Sequence, residues 1–298
     1  MNDKFKIHLS GVGKSIIYGM SFVFIKIALK NISIFSLLGL RFTLAVLLMI
    51  GMHFLKLIDI NGQKNILDLI KLSILYPVLY FIFETIGLKY TSSTQAGIMM
   101  ALIPVIVAIF STFILKEKPN KIEIGFILIS ISGILFITIM NQSGNERTSC
   151  LGFIALLIAI ICLALHNVMV RKISDKFSPT RITFSMMCVS AISFDLIFVV
   201  EKLINKDFQQ FIKIITNTEV VLSILYLGVL SSVIGTFFSN YMLSKVTANQ
   251  ASVYANLTTV ITIIAGVVLL NENFHWYEFV GTVLIIIGIW GTNYYGNK

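Results

Sequence analysis

Long apolar runs alternate with short polar stretches from one end of the chain to the other. They lie at 14–30, 34–55, 69–88, 94–115 and 121–140, then at 151–171, 180–200, 220–243, 247–270 and 278–295. A helix needs about 20 mostly apolar residues to cross the hydrocarbon of a bilayer, and each run has close to that length. The pattern therefore predicts an all-α integral membrane protein of ten transmembrane helices. The longest polar connection runs from Glu201 to Glu219, and within it 202–213 reads as a short interfacial helix.

Composition supports the same reading. Of 298 residues, 57% are hydrophobic and 12% charged. A water-soluble domain carries roughly 25% charged residues, so this chain could not cover a solvated surface. No polar stretch is long enough for a separate soluble domain. The net charge of +9 sits mostly at the ends of the apolar runs, where it meets lipid headgroups, so nucleic acid is not expected as a partner. Cys150, Cys162 and Cys188 have neither metal-ligand spacing nor a disulfide pattern. No cleavage site of small residues follows the first apolar run, which reads as a retained helix.

Counting Lys and Arg on alternate sides of the ten runs places fifteen on the side of the N-terminus and six on the other. Cationic loops stay in the cytoplasm, so both termini are expected there, in a multi-pass protein of the cell membrane. The chain also repeats itself. An offset of 155 brings Gln95-Ala96 onto Gln250-Ala251, Glu117 onto Glu272, Glu123 onto Glu278 and Gly133 onto Gly288 without a gap. Run four thus matches run nine, and run five matches run ten. Five is odd, so the two copies must enter the membrane from opposite sides. The result is an inverted-topology repeat, with one five-helix copy in 1–145 and the other in 146–298.

The residues that carry this repeat also carry a resemblance. The stretch from Gly87 to Ile137 and its counterpart from Ser244 to Trp290 resemble the signature of the drug/metabolite transporter superfamily, EamA type. Leu40-Arg41-Phe42 and Ser21–Leu29 fit the first two helices of that family. The resemblance implies ten helices in two five-helix repeats around a central cavity, and a protein that moves metabolites, with many members exporting amino acids. The family's recurring proline stands at Pro104 but is replaced by Thr259 in the second copy, so any helix break there is expected on one side only.

No enzyme signature is found. Gly13-Lys14-Ser15 ends like a phosphate-binding loop, but His8 stands where that loop needs its first glycine. His8, His53, His166 and His275 show no pair at metal-binding spacing. No cofactor is expected, and transport without an ATP-binding motif is facilitated or coupled to an ion gradient.

Candidate chemistry comes from polar groups inside the runs, where they are costly and face a cavity or a partner. Lys26, Arg41, Glu84 and Asp195 are ionisable. Arg41 and Glu84 are the deepest. They read either as a buried pair locking two helices or as a site for a substrate carboxylate or a proton. Tyr76, Tyr80 and Glu84 are four apart and share one helix face. Their mates in the second copy, Ser231, Gly235 and Ser239, form a small-residue stripe suited to tight packing. Two readings stay open: the bulky face fills the space left by the small one, or it lines a cavity. Gln250 and Tyr254 are expected to line the cavity, Asn167 to join helices, and Glu117 and Glu272 to anchor or cap helix ends. The candidate substrate-binding set is Tyr76, Tyr80, Glu84, Arg41, Gln250 and Tyr254.

The sequence thus predicts a secondary transporter that exports a small polar metabolite, an amino acid or a related compound, with Glu84 as a candidate for proton coupling. Its partners are that solute and membrane lipid. An importer of an amino-acid-like or nucleoside-like solute is the alternative within transport, and a membrane sensor or scaffold the alternative outside it. A sensor would ordinarily carry a soluble output domain.

Overall fold

The computed structural model describes residues 3–60, 66–116, 121–143, 150–205, 217–252 and 254–296, and the regular structure among them is helical. The helical segments are α1 (Asp3–Leu29), α2 (Ile34–Phe54), α3 (Leu67–Tyr90), α4 (Ser93–Ile114), α5 (Lys121–Ser143), α6 (Cys150–Ile173), α7 (Pro179–Asn205), α8 (Thr218–Lys245), α9 (Ala248–Leu270) and α10 (Trp276–Gly296). Among the described residues, α1 to α4 and α6 to α9 supply eight helices long and apolar enough to cross a membrane. Glu117 and most of the expected interfacial helix at 202–213 lie outside the described residues.

Local chemistry explains where helices begin. The Ser33 hydroxyl accepts from Ser36 N–H at 3.2 Å and caps α2. Ser92 and Gln95 form a reciprocal capping box at the start of α4. Asn217 caps α8 by accepting from Glu219 N–H and Val220 N–H. Glu278 accepts from His275 N–H at 2.9 Å ahead of α10.

The first boundary differs from the expectation. α1 starts at Asp3 rather than near Lys14, because Phe5, Ile7, Leu9 and Val12 extend the apolar pattern toward the N-terminus. Lys14 is therefore nine residues beyond Phe5, where the apolar span begins, or about 14 Å along the helix axis. It is buried rather than flanking the membrane.

Three helices are interrupted, each at an identifiable place. α3 has non-helical backbone at Tyr76 (φ −143°, ψ 121°), next to Pro77, and a wide π turn over Ile74–Leu79. Pro77 has no N–H to donate to the preceding turn, and its ring crowds that turn. α8 has a π-helical stretch at Tyr226–Gly235, which contains Ser231 and Ser232, the 155-offset mates of Tyr76 and Pro77. α4 breaks at Ala101-Leu102 and resumes at Ile103, with Pro104 in its new first turn. By contrast, α9 runs unbroken from Tyr254 to Leu270 through Thr259, whose hydroxyl bonds Gly97 O at 2.9 Å. The break at the Pro104 position is thus one-sided.

The main apolar cluster of the interior runs from Phe22 and Ile25 on α1 through Leu37, Leu38 and Phe42 on α2 to Leu156 on α6 and Phe194 on α7. The periphery is apolar too, with Leu47, Phe113, Leu128, Leu196 and Trp290 exposed. Such a surface suits lipid. α5 packs closely on α10, and Gly133 meets Gly281 where they cross. A Cβ on Gly133 would lie 2.7 Å from Gly281 O, and one on Gly281 would lie 2.8 Å from Gly133 O. Only glycines allow that backbone approach.

Candidate functional site

Six helices line a cavity of about 60 Å³ that mixes apolar walls with buried polar groups. One water needs roughly 10–15 Å³ of such space, so it has room for about four to six waters or a small polar molecule. α1 contributes Lys14, Tyr18, Ser21 and Phe22, at the three- and four-residue spacing that puts them on one helical face. α3 contributes Tyr76, Tyr80, Phe81 and Glu84; α6 contributes Leu163, His166 and Asn167. Thr236, Ser239 and Asn240 come from α8, and Ser252, Ala255 and Thr258 from α9. Met100 and Ile103, at the interruption of α4, complete the wall.

The tyrosines form the middle of this wall. Tyr18 Oη is 3.4 Å from Tyr76 Oη and 3.2 Å from Thr236 Oγ1. The Tyr76 ring lies 4.9 Å from Tyr80 and 4.6 Å from His166, centroid to centroid. Tyr80 Oη donates to Glu84 Oε1 at 2.6 Å, one turn further along α3. Glu84 Oε2 is buried without a hydrogen-bond partner among the described residues. The same holds for His166 Nδ1, Asn167 Oδ1 and Asn240 Oδ1, which also belong to cavity-lining residues. Buried polar atoms left unsatisfied cost about 1–3 kcal/mol each, so four around one cavity mark a place built to receive polar groups.

Arg41 does not join the wall. Its Nε donates to Ser232 Oγ at 2.7 Å and its Nη2 to Ser231 Oγ at 2.9 Å, tying α2 to α8. The guanidinium carbon sits 4.1 Å from the Phe81 ring centroid, and Nη1 has no hydrogen-bond partner among the described residues. The small stripe on α8 therefore makes room for Arg41 and for Tyr18, since a Cβ on Gly235 would come within 2.8 Å of Tyr18 Cε1. The bulky α3 face does not fill it. Tyr76, Tyr80 and Glu84 face the cavity even though Tyr76 is not helical.

Three further residues sit otherwise than expected. Gln250 is exposed at the start of α9, where its side chain accepts from Thr247 N–H at 3.3 Å. Its N–H in turn bonds Thr247 Oγ1 at 3.2 Å, a reciprocal cap that keeps it from the cavity. Tyr254 points the other way along α1, with its hydroxyl 2.5 Å from His8 Nδ1 and its ring against Gly11. Asn167, expected to join helices, lines the cavity instead. Lys14, Tyr18, Ser239 and Thr258 were not foreseen as lining residues. For Lys14 the signal was available: a lysine within an apolar run that begins earlier than its most hydrophobic core suggests.

The other ionisable groups have local partners. Lys26 Nζ bonds Thr91 O. Asp195 accepts from Thr43 Oγ1 at 2.6 Å. Glu272, between α9 and α10, accepts from Ser93 N–H and Thr94 N–H at 2.8 Å each and from Thr94 Oγ1 at 2.7 Å. It thereby caps α4, as expected of an acid at a helix end.

A helical, lipid-suited protein whose helices surround a cavity carrying unsatisfied polar groups is of the kind that moves solutes through membranes. The model of the EamA-like transporter family matches residues 5–139 and again residues 150–294, and the chain belongs to this family and so to the drug/metabolite transporter superfamily. It is therefore a multi-pass membrane protein of a transporter family. It is 35% identical to the uncharacterized transporter YcxC of Bacillus subtilis (strain 168), over 96% of this chain and 92% of that one. It is 26% identical to the uncharacterized transporter YetK of the same organism, over 94% of this chain and 83% of the relative. A solved crystal structure superposes on it with a TM-score of 0.67 over 96% of each chain, at 14% identity, and so shares its fold.

Proposed function

We propose that this protein is a secondary transporter of the cell membrane that exports a small polar metabolite, an amino acid or a related compound, in exchange for protons carried by Glu84. The carrying observation is Glu84 itself: 3% exposed, on the cavity wall, with one oxygen held by Tyr80 and the other unsatisfied among the described residues. A carboxylate in low dielectric with a free oxygen has a strong tendency to take up a proton when it is not paired. Coupling follows if proton and solute alternate at the cavity as it opens to either side.

In this reading ten helices cross the membrane in two inverted repeats, 1–145 and 146–298, with both termini in the cytoplasm. The double match of the family model, the gap-free offset of 155 and the paired irregularities of α3 and α8 support the repeats. The cationic bias supports the orientation. Export follows from the resemblance, in which metabolite export is common. Overexpression in a host exposed to inhibitory amino acids and their analogues tests it. An exporter raises the tolerated concentration of at least one compound and lowers its content in the cell, whereas an importer sensitises the cell.

A further inference from the structure

The cavity wall is not uniform. Glu84 stands beyond the tyrosines on α3, and a different set of groups stands on the far side of them. Lys14 lies one turn before Tyr18 on α1, and Tyr18 meets Tyr76, whose ring packs at a tilt against His166. α1 and α3 are separated by α2 and short connections, so they run in the same direction. Lys14 precedes the tyrosines along that direction and Glu84 follows them. Glu84 is eight residues past Tyr76, so Lys14 and Glu84 mark opposite ends of the cavity.

Gly13 meets Phe238 while Tyr18 meets Gly235 and Thr236, so α8 runs opposite to α1 and brings Asn240 toward Lys14. Gly87 meets Leu156 while Tyr76 meets His166, so His166 and Asn167 of α6 lie away from Glu84, at the Lys14 end. Lys14 is 7% exposed and Asn240 fully buried. Asn240 Nδ2 donates to Thr183 Oγ1 at 3.0 Å and to Met186 Sδ at 3.5 Å, which fixes its amide and leaves Oδ1 without a partner among the described residues. Asn167 Oδ1 is likewise unsatisfied. This end thus offers one cation and two acceptors with nothing to accept, on three helices. An ammonium has three donors and no acceptor, and a carboxylate accepts only. The two adjoin in the head group of an α-amino acid.

We propose that Lys14, Asn167 and Asn240 form a head-group site for an α-amino acid, in which Lys14 binds the carboxylate and the two asparagine carbonyls bind the α-ammonium. The cargo side chain then lies along Tyr18, Tyr76 and Tyr80, toward Glu84. The inference rests on the transport reading and narrows its cargo. It also assigns a role to the lysine that the sequence motif offered to phosphate, and it leaves Glu84 free for the proton.

The test is ligand-induced thermal stabilisation of the full chain in lipid nanodiscs. The probes are the standard L-amino acids and, for each that binds, the amine lacking its carboxylate and the acid lacking its amino group. Wild type is expected to be stabilised by at least one amino acid and to bind each truncated analogue about ten-fold or more weakly, the loss of a charge-assisted hydrogen bond. Lys14→Gln should lose the preference for the amino acid over its amine, and Lys14→Arg should keep it. Asn240→Leu should lose the preference over the deaminated acid. Equal binding of amino acid and amine by wild type overturns the head-group site while leaving transport of a polar solute standing. Stabilisation by none of the amino acids overturns the amino-acid reading of the cargo and this site with it. The wild-type comparison decides the matter even if a variant fails to fold.

Discussion

Tyr80 Oη donates to Glu84 Oε1 at 2.6 Å, across one turn of the α3 segment that resumes after Pro77. The contact restrains the carboxylate and leaves its second oxygen without a hydrogen-bond partner among the described residues. Tyr80→Phe should therefore leave the fold in place and release Glu84. We expect about 1.5–3 kcal/mol less stability if Glu84 is ionised, the worth of a hydrogen bond to a charged group. Thermal unfolding of the variant in nanodiscs measures this. A change below about 0.5 kcal/mol would mean that Glu84 is neutral or finds another donor.

Arg41 depends on two hydroxyls of α8. Ser232→Ala should strand Nε in an apolar setting and cost about 1.5–3 kcal/mol, and the double change with Ser231→Ala should cost more. Arg41→Lys should not restore the wild type, because a single ammonium cannot reproduce the forked geometry at Ser231 and Ser232 while stacking on Phe81. Unfolding temperatures of the four proteins check the order.

Glu272 gives a pH dependence. Burial pushes its carboxyl upward, but hydrogen bonds from the Thr94 hydroxyl and from Ser93 N–H and Thr94 N–H outweigh this and hold it below the usual carboxylate range. A depressed folded value means that the contribution is fully present above the unfolded value of about 4.3 and is lost as pH falls through the folded one. The Glu272→Gln variant should be less stable than wild type at pH 7, by about 1 kcal/mol or less for this half-exposed cap, and the two should converge toward pH 3. A gap that stays constant from pH 7 to pH 3 would contradict the capping role.

Gly133 and Gly281 set the separation of α5 and α10. A Cβ on either would press on the partner backbone, which cannot rotate away. Gly133→Val should cost about 1–3 kcal/mol, the usual cost of overpacking, whereas Gly125→Val, with open space around it, should cost little. Denaturation of both variants in matched detergent decides the comparison.

The helices were legible because apolar length alone separates a spanning segment from a connection, and each run coincides with a helical segment to within a few residues except at the start. There, His8, Ser10, Lys14 and Ser15 dilute the apolar pattern, and α1 starts earlier than that pattern suggests. On α3, spacing by four put Tyr76, Tyr80 and Glu84 on one face, and all three line the cavity. Yet Tyr76 reaches it from extended backbone, and Pro77 was the overlooked sign of that break. Gln250 and Tyr254 failed because spacing along one helix says nothing about which neighbour that face meets. Thr247 and His8 claim them, and neither lies on α9. Asn167 and Asn240 could not be told from residues that join helices, since the distinction lies in which of their atoms go unpaired.

The central claim is that Glu84 carries the proton, and Glu84→Gln in proteoliposomes tests it most directly. Gln keeps the size and one carbonyl oxygen for Tyr80 Oη but cannot release or bind a proton near neutral pH. The measurement is transport of an amino acid that the wild-type protein carries, in two modes: net flux driven by an imposed pH gradient, and exchange of labelled for unlabelled solute without one. The account predicts that Glu84→Gln abolishes gradient-driven net flux and retains exchange. Gradient-driven flux at the wild-type rate in Glu84→Gln would contradict it.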